Sequence, residues 1–389
     1  MTPIRGRELL HENNTKRLLS MIYSQQPISR VAMARALHLN KSTVSALYNE
    51  LDEQGYVQMV GAGDSTNVGG RKPVLITING RHGYLLSFDI GFNHLHIMAN
   101  YFDGRVAFFR RIPTRGETIQ QIISRIDTAI HEAAETLQTD QGLLGLCFSI
   151  HGIVDQETII NSPFIDMGDV DLVHDFTEKY QVPVVLENEA NLAAIYERDF
   201  GQHTDTQNIL VVSIHKGIGA GIILDDRLYR GTGGMAGEIG RSLLFTANDL
   251  TGQAVVEKKV EDYCSEDAII DQIKALKHLD TLGRDEVVAL YQAHDPATVA
   301  TIHAFTQAIA KIIFNVATTL APQTVCLNSP LIEAIPELLT KIQTAAQRLQ
   351  IKQPISLTEN THYATLLGAC SLLLRHVLDI ADYQLTLRH

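Results

Sequence analysis

Two stretches of this 389-residue chain run through the same order of segments, and that repetition constrains the fold more than any other feature. In the first stretch, apolar runs rich in β-formers predict strands at 83–90, 95–101 and 106–112, then a helix over 118–137 and a strand at 143–150. In the second, strands are expected at 208–214, 220–224 and 227–229, a long helix at 301–320 and a strand at 324–327. Three strands, a helix and a strand, met twice, predict two related α/β lobes with a cleft between them.

The length exceeds one ordinary core, and 45% hydrophobic with 20% charged residues is a globular balance. We divide the chain into a head at 1–80, a first lobe at 81–195 and a second at 196–389, with the C-terminal helix free to return to the first lobe. Its start, MTPIRGRELLHENN, has no apolar signal core, and no run of 18 apolar residues occurs, so the expectation is a cytoplasmic protein without a membrane partner. The four cysteines, at 147, 264, 326 and 370, form no C-x-x-C pair and read as reduced and buried.

Net charge is −12, which by itself argues against nucleic acid, but the charge is unevenly placed. Residues 1–80 hold nine Lys/Arg against six Asp/Glu, and the remainder 23 against 38. A basic head on an acidic body suits a phosphate-contacting module attached to a sensor. In the head, a first helix is expected over 9–23, a short one capped by Ser29 through Leu37, and a third capped by Asn40. Val44, Leu47, Tyr48 and Leu51 form the buried stripe of that third helix. Its other face carries Ser42, Ser45, Ala46 and Asn49, with Lys41 and Thr43 at the leading end, small and polar enough to lie deep in a major groove. Strands at 56–60 and 73–78 around GAGDSTNVGGRK predict a wing whose Arg71 and Lys72 suit a minor groove. The reading is a winged helix-turn-helix bound to operator DNA; a small three-helix protein-binding module is the other reading of the same periodicity.

Short motifs make the body more specific. DIG at 89–91, FSIHGIVD at 148–155, ENEAN at 187–191, GIGAG at 217–221 and GEIGR at 237–241, in that order, resemble the ROK family of repressors and sugar kinases. With LNKSTVS and GGRKP in the head, the chain is most similar to the branch of xylose-operon regulators. The resemblance implies a duplicated, ribonuclease H-like body of the actin and sugar-kinase type. It also implies a small-sugar effector, xylose first among candidates, and repression of a sugar-utilisation operon. Symmetric dimers that read palindromes imply a homodimer or a dimer of dimers, with the helix at 301–320 as a candidate contact.

Against the kinases of that family the chain departs where phosphate is handled. Their Asp-x-Gly-Gly-Thr turn reads Asp89-Ile90-Gly91-Phe92-Asn93 here, so a ring stands where backbone N–H groups would cradle phosphate oxygens. Their second phosphate loop reads His215-Lys216-Gly217-Ile218-Gly219-Ala220-Gly221, which has lost its threonine and also fits a tight hairpin between strands. Their late Gly-Gly turn corresponds to Asn328-Ser329, which would crowd an adenosine. The aspartate base corresponds to Glu189, whose extra methylene displaces the carboxylate by about an ångström, enough to cost large factors in rate. We therefore expect no enzyme activity and no cofactor. Glu189 is either a sugar acceptor or a carboxylate capping the helix that begins near Asn188, or both.

By the same resemblance the sugar pocket uses Asn188, Glu189, Glu238 and Glu261, with Asn161 and Ser162 nearby and Gly152 closing one side. Most of the family follows GEIG with a histidine and a cysteine-rich zinc loop. Here Arg241 replaces the histidine, Lys259 replaces the cysteine before Glu261, and no cysteine precedes Cys264 in the loop, so no structural zinc is expected. Arg241 and Lys259 either supply the positive charge the metal would bring, balancing Glu238 and Glu261, or face solvent in a degenerate loop. Two rivals to the repressor stay open: a ROK-type kinase retaining a DNA-binding head, and a regulator that needs no effector.

Overall fold

A computed structural model describes residues 3–62, 72–243, 258–380, 383 and 385–387. They divide into two compact units, residues 1–187 with 366–389, and residues 188–365.

The first unit opens with α1 (Pro3–Gln25), β1 (Ile28–Ser29), α2 (Arg30–Ala36), α3 (Lys41–Glu53), β2 (Val57–Ala62) and β3 (Val74–Ile78). Helix α1 is longer at both ends than its periodicity suggested. Ser29 caps α2 as expected, its Oγ accepting from Ala32 N at 3.3 Å. Asn40 holds the cap position of α3, but its side chain makes no cap hydrogen bond, which corrects that expectation. The backbone alone closes the first turn there, Val44 N donating to Asn40 O at 3.1 Å. Strand β1, too short to register in the pattern, pairs with β3, giving a three-stranded sheet of order β1-β3-β2.

The same unit continues through β4 (Tyr84–Ile90), β5 (His94–Tyr101), β6 (Val106–Pro113), α4 (Ile119–Thr136), β7 (Leu143–Ile150), the hairpin of β8 (Ile153–Asp155) and β9 (Thr158–Asn161), α5 (Leu172–Tyr180) and β10 (Val184–Asn188). The five-stranded sheet runs β10-β7-β4-β5-β6. Thr118 and Gln121 form a reciprocal capping box that starts α4. The α4 stripe Ile119, Ile122, Ile126 and Ile130 packs in one apolar cluster with Phe88, Ile97 and Phe148 of the sheet.

The second unit contains α6 (Glu189–Asp199), β11 (Ile209–Ile214), β12 (Ile218–Leu224), β13 (Arg227–Leu228), α7 (Glu261–Cys264), α8 (Glu266–Leu276), α9 (Arg284–Gln292), α10 (Pro296–Leu320), β14 (Thr324–Asn328), α11 (Pro330–Ala334), α12 (Glu337–Arg348) and β15 (Ile355–Leu357). Its sheet runs β13-β12-β11-β14-β15, the strand order of the first unit over again, with β14 parallel to β11 and β15 parallel to β14. The repetition read from the sequence is therefore a repetition of topology. The unit boundary falls at 187/188, ahead of α6, where the sequence reading places the lobe boundary at 195/196. Helix α6 packs on β12 so closely that a Cβ on Gly221 would stand 2.1 Å from Ala190 O, so this glycine is required by the approach of helix to strand.

Helix α10 is long and apolar enough to cross a membrane by length and composition alone. Its Ile302, Phe305, Ile309 and Ile313 instead form the core of the second unit with Leu210, Val325 and Leu338. The last helix, α13 (Thr361–Val377), begins in the second unit and continues into the first. The tail after it lies on α1: Thr386 N donates to Ser24 Oγ at 3.1 Å, and Lys16 pairs with Asp379 at 2.5 Å.

Candidate functional site

In the head, α2 and α3 are joined through the turn at His38, whose φ of +54° is a left-handed conformation. Leu47 and Val44 are fully buried, and the Arg30 guanidinium lies 4.7 Å from the Tyr48 ring centroid, tying the two helices. With that stripe turned inward, Lys41, Ser42, Ala46 and Asn49 are exposed, and Thr43 and Ser45 are half-buried. The outward face is thus the small, polar one the sequence predicted. Lys72 is exposed just before β3, while Arg71 and most of the loop it ends lie outside the described residues.

In the second unit, Asn188 does cap α6, its Oδ1 accepting from Ala190 N at 2.8 Å and Asn191 N at 3.2 Å. The capping role offered for Glu189 therefore belongs to its neighbour. Glu189, only 5% exposed, turns inward instead. Its Oε2 accepts from Ser213 Oγ at 2.7 Å, and its Oε1 from Asn328 Nδ2 at 2.9 Å and Thr365 Oγ1 at 3.1 Å. His215 Nε2 lies 3.4 Å from the same Oε1. Asn328, read from sequence only as an obstacle to adenosine, is the side chain that holds this carboxylate, and its Nδ2 also lies 3.1 Å from Ser213 Oγ. Ser329 caps α11 through Ile332 N. The segment 215–221 is a hairpin, with Ile214 paired to Ile218 and Ser213 to Gly219. None of Ser213, Thr365 and Asn328 is adjacent to Glu189 in sequence, and no local signal pairs them with it.

Nearby on the chain, Glu238 and Arg241 stand 3.8 Å apart, and Lys259 and Glu261 3.6 Å apart. A Cβ on Gly240 would lie 3.0 Å from Glu261 Oε2, which places the two pairs beside one another. Burial pushes the Glu238 carboxyl up, Arg241 opposes that, and Glu261 adds to it. This is the charge-balance arrangement, with both cations also about half exposed. The loop that carries zinc in relatives falls mostly at 244–257, outside the described residues.

In the first unit, Gly152 lets β8 and β9 close on each other, since a Cβ there would stand 2.0 Å from Asn161 O. Asn161 is exposed and Ser162 half-buried beside it, so the structure brings these three together within one unit. At the end of β4, Asp89 accepts from Ser149 Oγ at 2.7 Å and lies 3.1 Å from His151 Nε2 and 3.2 Å from His96 Nδ1. Burial alone would raise its carboxyl, but the charge and hydrogen bonds of His151 and His96 hold it well below the ordinary aspartate value of 3.8. Phe92, directly after Gly91 of the DIG turn, is exposed. Asp89→Asn is expected to cost about 2–3 kcal/mol, because it sets an amide against donors that need an acceptor. A depressed folded value stabilises fully above the unfolded one and is lost as pH falls below it. Chemical melts from about pH 6 down to about pH 2 should thus show an acid limb below about pH 4 in the parent that is shallower in the variant.

With this geometry in view, the comparisons with known proteins are decisive. The model of the ROK family matches residues 85–376. The chain belongs to the ROK family. A xylose repressor of Lactiplantibacillus pentosus is 44% identical over 98% of this chain and 97% of its own length. One from Staphylococcus xylosus is 36% identical over 96% and 98%. Among solved structures, a ROK family transcriptional regulator, a homolog of the E. coli MLC protein, superposes with a TM-score of 0.79 at 21% identity, covering 96% of this chain and 98% of that one. A ROK family glucokinase from Streptomyces griseus, solved with glucose and AMPPNP, gives 0.65 at 21% identity over 75% of this chain and 99% of its own. The first of these structures shares the fold over nearly the whole chain, and the ROK glucokinase over three quarters of it.

Proposed function

We propose that this ROK protein is a sugar-responsive transcriptional repressor, with xylose as the first candidate effector, and that it is not a kinase. Residues 1–80 act as a winged helix-turn-helix. Helix α3 enters the major groove, where Ser42, Ser45 and Asn49 meet base edges and Lys41 and Thr43 meet phosphates, and Arg71 and Lys72 of the wing enter the minor groove. A dimer sets one α3 in each half of a palindromic operator. The effector is held by Gly152, Asn161, Ser162, Asn188, Glu189, Glu238, Arg241 and Glu261. The names borne by near full-length relatives support the repressor reading.

The observation that carries the loss of catalysis is the commitment of Glu189. Both its oxygens accept protein hydrogen bonds, one of them from Asn328, the residue where relatives place an adenosine-accommodating glycine. A general base needs an open path to the proton it removes. This one serves as a structural and recognition acceptor. Thr365, bonded to Glu189, lies in helix α13, and the tail that follows this helix lies on α1. Ligand-dependent strain at Glu189 has that helix as a route to the DNA head, and the coupling is reciprocal.

The deciding experiment is operator binding repeated with D-xylose, a panel of hexoses, and ATP. The expected result is tight binding in buffer, release by one sugar, no effect of ATP and no phosphosugar product. ATP-dependent phosphorylation of the releasing sugar would overturn the reading, and release by none would make the regulator effector-independent. Arg241→Ala is expected to weaken the effector about tenfold, the size of one charge-assisted hydrogen bond. Calorimetry with the releasing sugar reads this directly, and an unchanged affinity removes Arg241 from the pocket.

A further inference from the structure

Helix α6 lies on its sheet through a stripe of small residues, Ala190, Ala193 and Ala194, and the next position of that stripe is Glu197. A carboxyl group on the stripe that packs against a sheet is costly unless something compensates it, and Glu197 is 3% exposed. Facing it from β14 is Cys326, fully buried in the same cluster as Ala193 and Ala194. Cys326 has Ser356 of β15 as its register partner, with 3.6 Å between Sγ and Oγ. His203, just beyond the C-terminal end of α6, brings its Nε2 to 3.3 Å from Ser356 Oγ. Among the described residues this is the one group of three or more His, Cys, Asp and Glu side chains whose ligand atoms converge, all within 4.8 Å of one another. A cavity of about 10 Å³, room for one water or one ion, is bordered by Glu197, His203, Ser356 and Glu359.

From this convergence we infer that Glu197, His203 and Cys326 form a binding site for one zinc-class transition-metal dication. The donor set decides the class. One sulfur, one imidazole nitrogen and one carboxylate oxygen suit a borderline-soft ion such as Zn²⁺ or Co²⁺, whereas Ca²⁺ and Mg²⁺ take oxygen shells. Ligand atoms on one tetrahedral zinc, with bonds of roughly 2.0–2.3 Å, stand roughly 3.3–3.8 Å apart. Closing from the present separations needs about an ångström of side-chain adjustment. On binding, two protons leave to solvent, one from the Cys326 thiol and one from the Glu197 carboxyl, both of which burial pushes up, and the thiolate and carboxylate take the ion. Three protein ligands leave a fourth position beside Ser356 for water. The ion would join the end of α6 and the segment after it to β14 and β15. None of its residues is Glu238 or Glu261 or belongs to the segment 242–266.

The test uses full-length, chelator-treated protein titrated with Co²⁺ alone, then with Zn²⁺ against a chromophoric chelator. The expected result is one equivalent bound, a near-ultraviolet thiolate-to-Co²⁺ charge-transfer band, and loss of that band on adding Zn²⁺. Cys326→Ser should remove the band, and His203→Gln should weaken Zn²⁺ at least about tenfold. His203 is half-buried outside the regular elements, so its variant keeps the experiment decisive if Cys326→Ser fails to fold. Binding weaker than about 10 µM overturns the site. So does a band with unchanged affinity in the variants, which would place the ion at another cysteine.

Discussion

Ser45→Glu is expected to reduce operator affinity about 100-fold or more while leaving the fold and effector affinity unchanged. Ser45 sits half-buried at the edge of the small polar face of α3, beside the exposed Ser42, Ala46 and Asn49 and flanking the buried stripe of Val44, Leu47 and Tyr48. A glutamate there neither breaks a core contact nor removes a cap. It does bring a negative charge and extra length to a surface that must approach base edges and phosphates. Loss of one base contact costs roughly 1–3 kcal/mol, and repulsion from the phosphates adds to it. Gel-shift or anisotropy titration at fixed salt, with a thermal melt as control, measures both halves of the claim. Lys41→Ala provides the contrast. As a phosphate contact it should weaken all sequences alike and lower the salt slope by about one. If Ser45→Glu bound the operator as the parent does, α3 would not be the reading helix.

Glu189→Ala should destabilise the protein by about 3–5 kcal/mol, the range for removing one member of a buried charged network. The cost arises from what remains. Ser213, Asn328 and Thr365 would keep buried donors aimed at a void, each having lost a bond of 2.7–3.1 Å. Glu189→Gln retains one acceptor oxygen and is expected to cost about half as much. Pairing Glu189→Ala with Asn328→Leu should recover part of the loss, since the orphaned amide goes with its partner. Urea melts of the three variants establish the order. A loss under about 1 kcal/mol in Glu189→Ala would mean that the network is not what holds this carboxylate. The same variants should show no gain or loss of sugar phosphorylation above background, because the carboxylate is a held acceptor and not a free base.

Much of the architecture was legible before the fold. Strands at 84–90, 94–101 and 143–150 and helix α4 fall within a residue or two of their expected limits, because apolar runs rich in β-formers and helical apolar spacing are local signals. The apolar stripe and polar face of α3 follow from the consecutive residues Lys41 to Leu51. The short strands β1, β8, β9 and β15 left no readable pattern, since two to four residues are too few to show a period, and β1 and β15 pair with strands distant in sequence. The Asn40 cap illustrates the limit of a local rule, because the residue type was right for the position and the side-chain bond is still absent.

What the sequence by itself determined is therefore the duplicated α/β body, the small polar outward face of α3, and the residues Phe92, Asn328 and Arg241 at positions where the family resemblance implies glycine, glycine and histidine. What only the tertiary structure decided is the company those residues keep: that Asn328 and Thr365 hold Glu189, that His96 and His151 hold Asp89, and that Glu197, His203 and Cys326 converge. The physical reason is range. Propensity, periodicity and capping act over about four residues, whereas hydrogen bonds between Glu189 and partners 139 and 176 positions away exist only once sheet and helices have been packed.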